Sequence, residues 1–288
     1  MILDCPICRG NACFVFAKDK VAYYKCRSCN HIFINMENIN SKFDYNEEYY
    51  RRWFGLISKE NKINEQVSKI NLMKKMNYEN VFSCLSLTFD MFSSALDIGS
   101  AFGAFLELAM IRGIKNIIGV EINDYSRNYT DKFKVYKYIY EIPENTLFDL
   151  ITMFDVIEHL DSPEKVLGML NQYAKHNSFL LIETPDSSSL SSKILGKFWV
   201  HYKPLEHIHY FSRKSIKLLM ERNGWECIKI MSLRKLLSMP YIVNQLTNDK
   251  FKKMQKIKDN FNSKFFIKIN SGDMVCLFRK NNYSKRLR

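Results

Sequence analysis

From residue 94 onward, short apolar runs alternate with amphipathic segments, and no other feature constrains the fold as much. The runs with strand character are ALDIG, NIIGVEI, VYKYIY, FDLITMF, FLLIET, WECIKIM and MVCLFRK. Helix-like segments stand between several of them, such as SPEKVLGMLNQYA, with Pro163 in its first turn, and a segment bounded by Ser212 and Gly224. This alternation predicts an α/β fold, with a seven-stranded, mostly parallel sheet and helices on both faces.

Four of the eight cysteines form two pairs near the start of the chain, Cys5 with Cys8 and Cys26 with Cys29. Two thiolates separated by two residues can bind one ion from a single tight turn, and a second pair completes a tetrahedral Zn²⁺ site. We therefore expect residues 1–42 to form a small zinc-ribbon domain. A closed four-thiolate site has no open coordination position, so its role would be structural. The alternative is four reduced cysteines without a metal.

Residues 43–92 are polar and aromatic at first and then spaced like a helix, which predicts a helical connector. We expect the α/β domain to occupy residues 93–288. Within it, residues 232–273 are rich in lysine, with apolar residues such as Ile242 and Leu246, and predict a basic helical insertion between strands six and seven. This insertion would be either an ordinary docked helix or a lid or peripheral membrane contact for a lipid-linked acceptor.

The formal net charge of +13 is concentrated near the end of the chain. Residues 232–288 contain 14 Lys or Arg and three Asp, which gives +11 and leaves the preceding part nearly neutral. A neutral body argues against nucleic acid as the partner, although RNA binding by the ribbon and the basic tail stays open. No apolar run is long enough to span a bilayer, and the opening MILDCPIC has no basic segment before an apolar core. We therefore expect a cytoplasmic protein.

The stretch LDIGSAFGAF, residues 96–105, joins the first of these strands to a helix and contains Asp97, Gly99 and Gly103. Glycines let the backbone approach a ligand closely, and a helix N-terminus attracts a carboxylate or a phosphate. Glu121 ends the next strand, where an acid can bind both hydroxyls of a ribose. Together these residues predict a nucleotide-cofactor site. The Gly-x-x-x-Gly spacing counts against a dinucleotide dehydrogenase.

LDIGSAFGAFLELA, GVEIN, FDLITMFDVIEHL and FLLIETPD, in that order, resemble class I S-adenosylmethionine-dependent methyltransferases. The resemblance covers about residues 94–230 and the last strand, and it implies a Rossmann-like domain that binds S-adenosylmethionine. It implies that Gly99 and Gly103 surround the methionine part of the cofactor, that Asp97 lies near its amino group and that Glu121 binds the ribose. The remaining cofactor contacts that it implies are Ser100, Ile122, Tyr140, Phe154 and Asp155.

The ribbon, the segment YNEEYY and the segment PLEHIHYFSRKSI together resemble zinc-ribbon-bearing bacterial methyltransferases that modify sugars, polysaccharides or secondary metabolites. This resemblance implies a small-molecule or glycan acceptor. In the deoxysugar C-methyltransferases of that group a Glu-His pair is implicated in base chemistry, and Glu206 and His207 stand at the matching place. Pro204 stands where a tyrosine is expected, so C-methylation is the alternative to methylation of a hydroxyl.

Asp155, Glu158 and His159 follow the fourth strand, and one helical turn could present all three on one face. The segment resembles the Glu-x-x-Glu-His segment of metal-dependent O-methyltransferases, which act on ubiquinone precursors or small-RNA 3′ ends. This resemblance implies a site for Mg²⁺ or another divalent ion, formed by these residues and His207. In the other interpretation the residues line the acceptor pocket without a metal.

Methyl transfer is an in-line displacement from a sulfonium, so the protein mainly has to align the reactants and deprotonate the nucleophile. We expect His207 or His159 to act as the general base, with Glu206 orienting the imidazole. A bound metal would lower the pKa of the acceptor hydroxyl. The rival classes are an RNA methyltransferase and a non-catalytic protein that binds the cofactor.

Overall fold

The computed structural model describes residues 2–36, 47, 63–238 and 266–281. The segment YNEEYY, apart from its Glu47, therefore lies outside the described residues, as do the start of the predicted connector and the apolar positions Ile242 and Leu246. Among the helices that are described, none is both long and apolar enough to cross a membrane.

The N-terminal part is a small antiparallel sheet. Its strands are β1 (Ile2–Asp4), β2 (Asn11–Lys18), β3 (Val21–Cys26) and β4 (Ile32–Ile34). A fifth strand, β10 (His209–Tyr210), comes from far along the chain and pairs antiparallel with β4, with His209 opposite Phe33. The ribbon is thus joined by main-chain pairing to the segment that follows the fifth strand of the large sheet.

The large sheet contains the seven predicted strands. They are β5 (Ser94–Ile98), β6 (Asn116–Val120), β7 (Lys134–Tyr136), β8 (Phe148–Phe154), β9 (Ala174–Pro185), β11 (Trp225–Ser238) and β12 (Phe266–Lys280). Their order is β11-β12-β9-β8-β5-β6-β7, and every pair is parallel except the two that involve β12. The predicted Rossmann-like fold, with a seven-stranded, mostly parallel sheet, is confirmed.

Helices cover both faces of this sheet. They are α1 (Ile63–Leu85), α2 (Ala104–Ile111), α3 (Asp124–Arg127), α4 (Pro163–Leu170), α5 (Leu190–Leu195) and α6 (Arg213–Arg222). Neighbouring strand residues point to opposite faces, so Ile151 packs in the cluster with α4 and α6, whereas Leu150 packs in the cluster with α1 and α2. Burial on both faces explains why these strands are apolar almost throughout.

The prediction of a helical insertion over residues 232–273 is wrong at both of its ends. β11 and β12 form one long antiparallel ladder from the pair Trp225 and Lys280 to the pair Ser238 and Phe266, so residues 232–238 and 266–273 are strand. Residues 239–265 lie outside the described residues. The lysine-rich pattern was misleading because Leu233 packs in the core while the charge of Lys235 is balanced by acidic neighbours, as described below.

Candidate active site

The loop after β5 requires glycine at two positions. Gly99 and Gly103 have φ angles of 72° and 74°, in the left-handed region that favours glycine. A Cβ atom on Gly99 would lie 2.4 Å from Cγ2 of Val156, and one on Gly103 would lie 2.8 Å from Cγ2 of Thr130. Gly103 is also the N-cap of α2. The loop therefore brings bare backbone and a helix N-terminus to the carboxyl end of the sheet, where α/β folds bind ligands.

Glu121 joins this loop to the loop after β6. It is buried, and its Oε2 accepts a hydrogen bond from the Ala101 amide at 2.8 Å. Its Oε1 accepts another from the Asn123 amide at 2.9 Å. Ile122, which lies between Glu121 and Asn123 in the sequence, has an exposed side chain. The carboxylate of Glu121 is thus held in one orientation between two loops and retains acceptor capacity for further donors.

Asp97 lies at the end of β5 and is almost completely buried. Burial raises the pKa of its carboxyl group to about 7, although the hydroxyl of Thr152, which donates to Asp97 Oδ1 at 2.7 Å, opposes the shift. Nearby, the hydroxyl of Ser100 is buried and has no hydrogen-bond partner among the described residues. A ligand with a cationic amino group would favour the ionised form of Asp97.

The side chains of Tyr140 and Phe154, both predicted to contact the cofactor, lie in opposite environments. Tyr140 is exposed and stacks on Tyr138, with ring centroids 5.2 Å apart. Phe154 is buried against Tyr78, with centroids 4.3 Å apart, and belongs to the core. Tyr140 can therefore present an aromatic face to a planar ligand, whereas Phe154 could contact one only through its backbone.

A second group of side chains lies where the ends of β8 and β9 meet. Glu158, His159 and His207 each place one potential ligand atom within 4.8 Å of the others. Nδ1 of His159 donates to the backbone carbonyl of Glu206 at 2.8 Å, so in the neutral ring Nε2 carries the lone pair. The hydroxyl of Thr184 donates to Glu158 Oε2 at 2.9 Å. Three of the four predicted residues of the divalent site are thus brought together.

Asp155, the fourth predicted residue, is separated from this group by its backbone conformation. The predicted helical turn is a short 3-10 turn at Ile157–His159, and Asp155 precedes it with a φ angle of 58°. Its exposed side chain accepts a hydrogen bond from Nζ of Lys235 at 3.1 Å. The structure therefore contradicts the placement of Asp155 on one helical face with Glu158 and His159.

Lys235 lies among three carboxylates at this end of the sheet. Its Nζ is 3.1 Å from Asp155, 2.5 Å from Glu183 and 3.3 Å from Asp273. Burial raises the pKa of the Glu183 carboxyl to about 7, against the opposing effect of Lys235. The same lysine and His201 keep the pKa of the buried Asp273 below its usual value, although burial alone would raise it. This ion cluster fixes β11, β12, β9 and the residue after β8 to one another.

The carboxylate of Glu206 interacts with two neighbours. Its Oε1 lies 3.5 Å from Nζ of Lys203 and 3.7 Å from Nε2 of His207. His207 is only 4% exposed, and its Nδ1 finds no hydrogen-bond partner in the part of the chain that the structure describes. His209, two residues further on, points to the ribbon, where its Nδ1 lies 3.0 Å from Nε2 of His31.

The four cysteines of the ribbon have the geometry of a tetrahedral metal site. The Sγ atoms of Cys5 and Cys29 are 3.6 Å apart, those of Cys8 and Cys26 are 3.4 Å apart, and all four lie within 4.8 Å of one another. Zn–S bonds of about 2.3 Å in a tetrahedron place neighbouring sulfur atoms about 3.8 Å apart, close to these distances. The cluster fits a structural Zn²⁺ ion.

The sequence profile of a family described as a methyltransferase domain matches residues 45–230, well over half of the chain. The chain belongs to this methyltransferase family. Its membership confirms the predicted enzyme class and supports S-adenosylmethionine as the cofactor. No curated protein has a matching sequence.

Solved structures show the same fold as this methyltransferase. One is described as an S-adenosylmethionine-dependent methyltransferase from Archaeoglobus fulgidus, with 23% identity and a TM-score of 0.50, covering 72% of this chain and 94% of that chain. Another, from Thermotoga maritima, has 17% identity and a TM-score of 0.50, covering 81% of this chain and 96% of that chain. At these identities the similarity establishes the fold alone.

Sequence reasoning missed Lys235 and Lys203, which pair with the candidate site residues Asp155 and Glu206, and His31, which meets His209. Lys235 stands in a lysine-rich stretch, where nothing local distinguishes it from its neighbours. Only the pairing of β11 with β12 brings it to Asp273, and no sequence pattern reveals that contact. His31 could have been noticed, because it stands two residues after Cys29, the last cysteine of the cluster.

Proposed function

We propose that the methyltransferase transfers a methyl group from S-adenosylmethionine to a hydroxyl of a small-molecule or glycan acceptor, with His159 as the general base. The hydrogen bond from its Nδ1 to the Glu206 carbonyl carries this proposal, since it keeps the proton on Nδ1 and leaves the lone pair of the neutral ring on Nε2. His159 is half-buried, whereas His207, the other predicted base, is almost inaccessible. Glu206 thus orients the base through its carbonyl instead of its carboxylate.

The protonation state of His159 suits this role. Burial lowers the pKa of its imidazole below the usual value, against the raising effects of the Glu206 charge and carbonyl. The ring is therefore neutral at pH 7 and able to accept a proton. His207 packs edge-on against it, with ring centroids 4.6 Å apart, and restricts its rotation. His207 is a positioning residue in this scheme.

The cofactor would supply the methyl group as a sulfonium. The backbone of Gly99 and Gly103 would surround its methionine part, and the carboxylate of Asp97 would accept hydrogen bonds from its amino group. Glu121, fixed by the Ala101 and Asn123 amides, would accept the ribose hydroxyls. The buried hydroxyl of Ser100 and the exposed ring of Tyr140 provide a further polar and a further aromatic contact.

The cofactor assignment predicts a specific pH dependence of binding. S-adenosylhomocysteine should bind to the protein in calorimetry, and its affinity should rise about tenfold per pH unit up to pH 7 and then level off. The reason is that its ammonium group requires the ionised form of Asp97, whose pKa is about 7 in the free protein.

The Asp97→Asn variant should bind more weakly and with a flat profile, while Asp90→Asn, an exposed acid just before β5, should behave as wild type. Absence of binding at every pH would contradict the cofactor assignment, and a flat wild-type profile would contradict the role of Asp97.

The two histidines can be separated once a screen of nucleotide sugars and hydroxylated small molecules has found an acceptor. We expect His159→Ala to lower kcat by about 10²- to 10⁴-fold without changing cofactor affinity, because a general base contributes that much. His207→Ala should lower kcat by a smaller factor. His207→Asn should restore kcat, because asparagine preserves a polar planar group. The reverse ranking of the two alanine variants would assign the base to His207.

The proximity of Glu158, His159 and His207 supports a second candidate, which is metal-assisted transfer. Two imidazoles and one carboxylate on one side of an ion leave coordination positions open for an acceptor. The Thr184 hydroxyl donates to Glu158 Oε2, and the Glu206 carbonyl accepts from His159 Nδ1. Metal ligands commonly have hydrogen-bond partners of this kind on the atoms that do not bind the ion. The ion would be Mg²⁺ or another divalent cation, and it would lower the pKa of the acceptor hydroxyl.

Metal assistance is tested by removing divalent ions while the cysteine cluster keeps its zinc. After EDTA treatment, metal analysis should show one zinc per chain, and Mn²⁺ or Mg²⁺ titration should produce a binding signal that Glu158→Gln abolishes. Full activity of the EDTA-treated protein, with no ion bound on titration, would leave the metal-free mechanism with His159 as the base.

A further inference from the structure

The helix α5 and the turn after it expose apolar side chains instead of burying them. Leu190, Ile194 and Phe198, spaced four residues apart, are 72%, 73% and 75% exposed, and Leu195 and Val200 are also exposed. Leu190 and Ile194 therefore lie one above the other on one face of α5, and Phe198 follows in the turn after the helix, beyond Gly196 with its φ of 50°. We call these five residues the apolar face of α5.

The side of α5 that faces the rest of the protein is polar, whereas an ordinary surface helix turns its apolar side inward. Ser192 is buried, and its hydroxyl bonds to the carbonyls of Ser187 and Ser189 at 2.8 and 2.9 Å. Trp199 is fully buried at the end of the turn, where its Nε1 donates to the Ser271 carbonyl at 3.4 Å. The segment is therefore anchored through serines and one tryptophan, and its apolar residues are left for an external partner.

Lysines stand within this apolar face. Lys193 and Lys197 are exposed, and Nζ of Lys197 lies 5.3 Å from the ring centroid of Phe198. Apolar and aromatic side chains next to lysines suit the boundary between acyl chains and anionic headgroups, where the lysines are attracted to the lipid phosphates. A stable dimer needs about 20–30 residues on each side, far more than this short segment offers.

We propose that the apolar face of α5 docks the protein on an anionic lipid bilayer. Leu190, Ile194 and Phe198 enter the headgroup region, and Lys193 and Lys197 bind lipid phosphates. The segment begins five residues after β9 ends, and β9 carries Thr184, whose hydroxyl binds Glu158. The docking face therefore follows in the chain directly after β9, the strand that supports Glu158 of the candidate site.

The test is co-sedimentation of the full-length protein with vesicles of phosphatidylcholine alone or mixed equally with phosphatidylglycerol. Wild type should bind the anionic vesicles, and more weakly as salt is raised. The Ile194→Ser/Phe198→Ser variant should bind them at least about tenfold more weakly, because two apolar side chains no longer enter the bilayer. The control Ile111→Ser, which removes a similarly exposed apolar residue from the end of α2, should bind as wild type.

Several results would overturn the proposal. They are no binding of wild type to either vesicle, equal binding of wild type and the double variant, and a concentration-dependent dimer in light scattering that the double variant abolishes. The last result would assign the face to a second copy of the chain. Unchanged binding of S-adenosylhomocysteine and an unchanged Tm in the double variant show that its fold is intact, and the vesicle assay does not depend on methyl transfer.

Discussion

Replacing Lys235 with methionine should lower the free energy of unfolding by about 3–5 kcal/mol, because the substitution leaves buried carboxylates without their cation. Glu183 and Asp273 are almost fully buried, and Nζ of Lys235 is their closest cationic partner, at 2.5 and 3.3 Å. Methionine keeps most of the side-chain volume, so the loss reports the charge. Urea denaturation of wild type and variant at pH 8 measures this difference in the free energy of unfolding.

The same variant should recover stability as the pH falls. Without Lys235 the pKa values of Glu183 and Asp273 lie above their unfolded values, so the folded state gains from protonation, and the deficit against wild type narrows between pH 8 and pH 5. Arg234→Met, at the neighbouring exposed position on β11, should change the free energy of unfolding by less than about 0.5 kcal/mol. Equal losses in both variants, or a deficit independent of pH, would show that Lys235 does not neutralise the buried carboxylates.

The parts of the site that depend on local sequence could be predicted. Gly99 and Gly103 are recognisable because the turn after β5 allows no side chain at those positions, and Glu121 because it ends the next apolar run. The strands could be predicted for a similar reason, since burial on both faces makes them continuously apolar. Each of these signals lies in the residues next to the turn or strand that it indicates.

The parts that depend on contacts between distant segments could not be predicted. β10 has only two residues, too few for any periodicity, and exists because β4 provides a partner for it. Asp155 follows a strand and precedes Glu158, a pattern that suits a helix start, but its left-handed backbone turns its side chain to Lys235 instead. Lysine on a strand is tolerated there only because acids from two other strands surround it.

Loss of the ribbon metal should loosen the active site as well as the ribbon. We propose that the cluster of Cys5, Cys8, Cys26 and Cys29 binds Zn²⁺, so that Cys26→Ser gives a protein without zinc. We expect its ribbon to unfold, since metal binding to such sites contributes most of the folding free energy of small zinc domains. The backbone amides of residues 207–212 should then exchange hydrogen at least about 100-fold faster, because opening is no longer opposed by the ribbon.

The reason is that this segment rests on the ribbon through several independent contacts. Ile34 donates its amide to the Ile208 carbonyl at 3.1 Å, the Ser212 hydroxyl donates to the Cys29 carbonyl at 2.7 Å, and His31 meets His209. His207 directly precedes the anchored residue Ile208, so it should lose its fixed position against His159 when the ribbon unfolds. Binding of S-adenosylhomocysteine should persist, because the residues proposed to hold the cofactor belong to loops of the large sheet.

Cys13→Ser is the matched control, since Cys13 lies on β2 outside the cluster and should leave zinc content and exchange unchanged. Hydrogen-exchange mass spectrometry of the two variants measures the exchange rates of residues 207–212. If residues 207–212 stay protected in the zinc-free protein, the ribbon does not support the acceptor side of the site. If cofactor binding is lost as well, the ribbon stabilises the whole domain instead of the segment that carries His207.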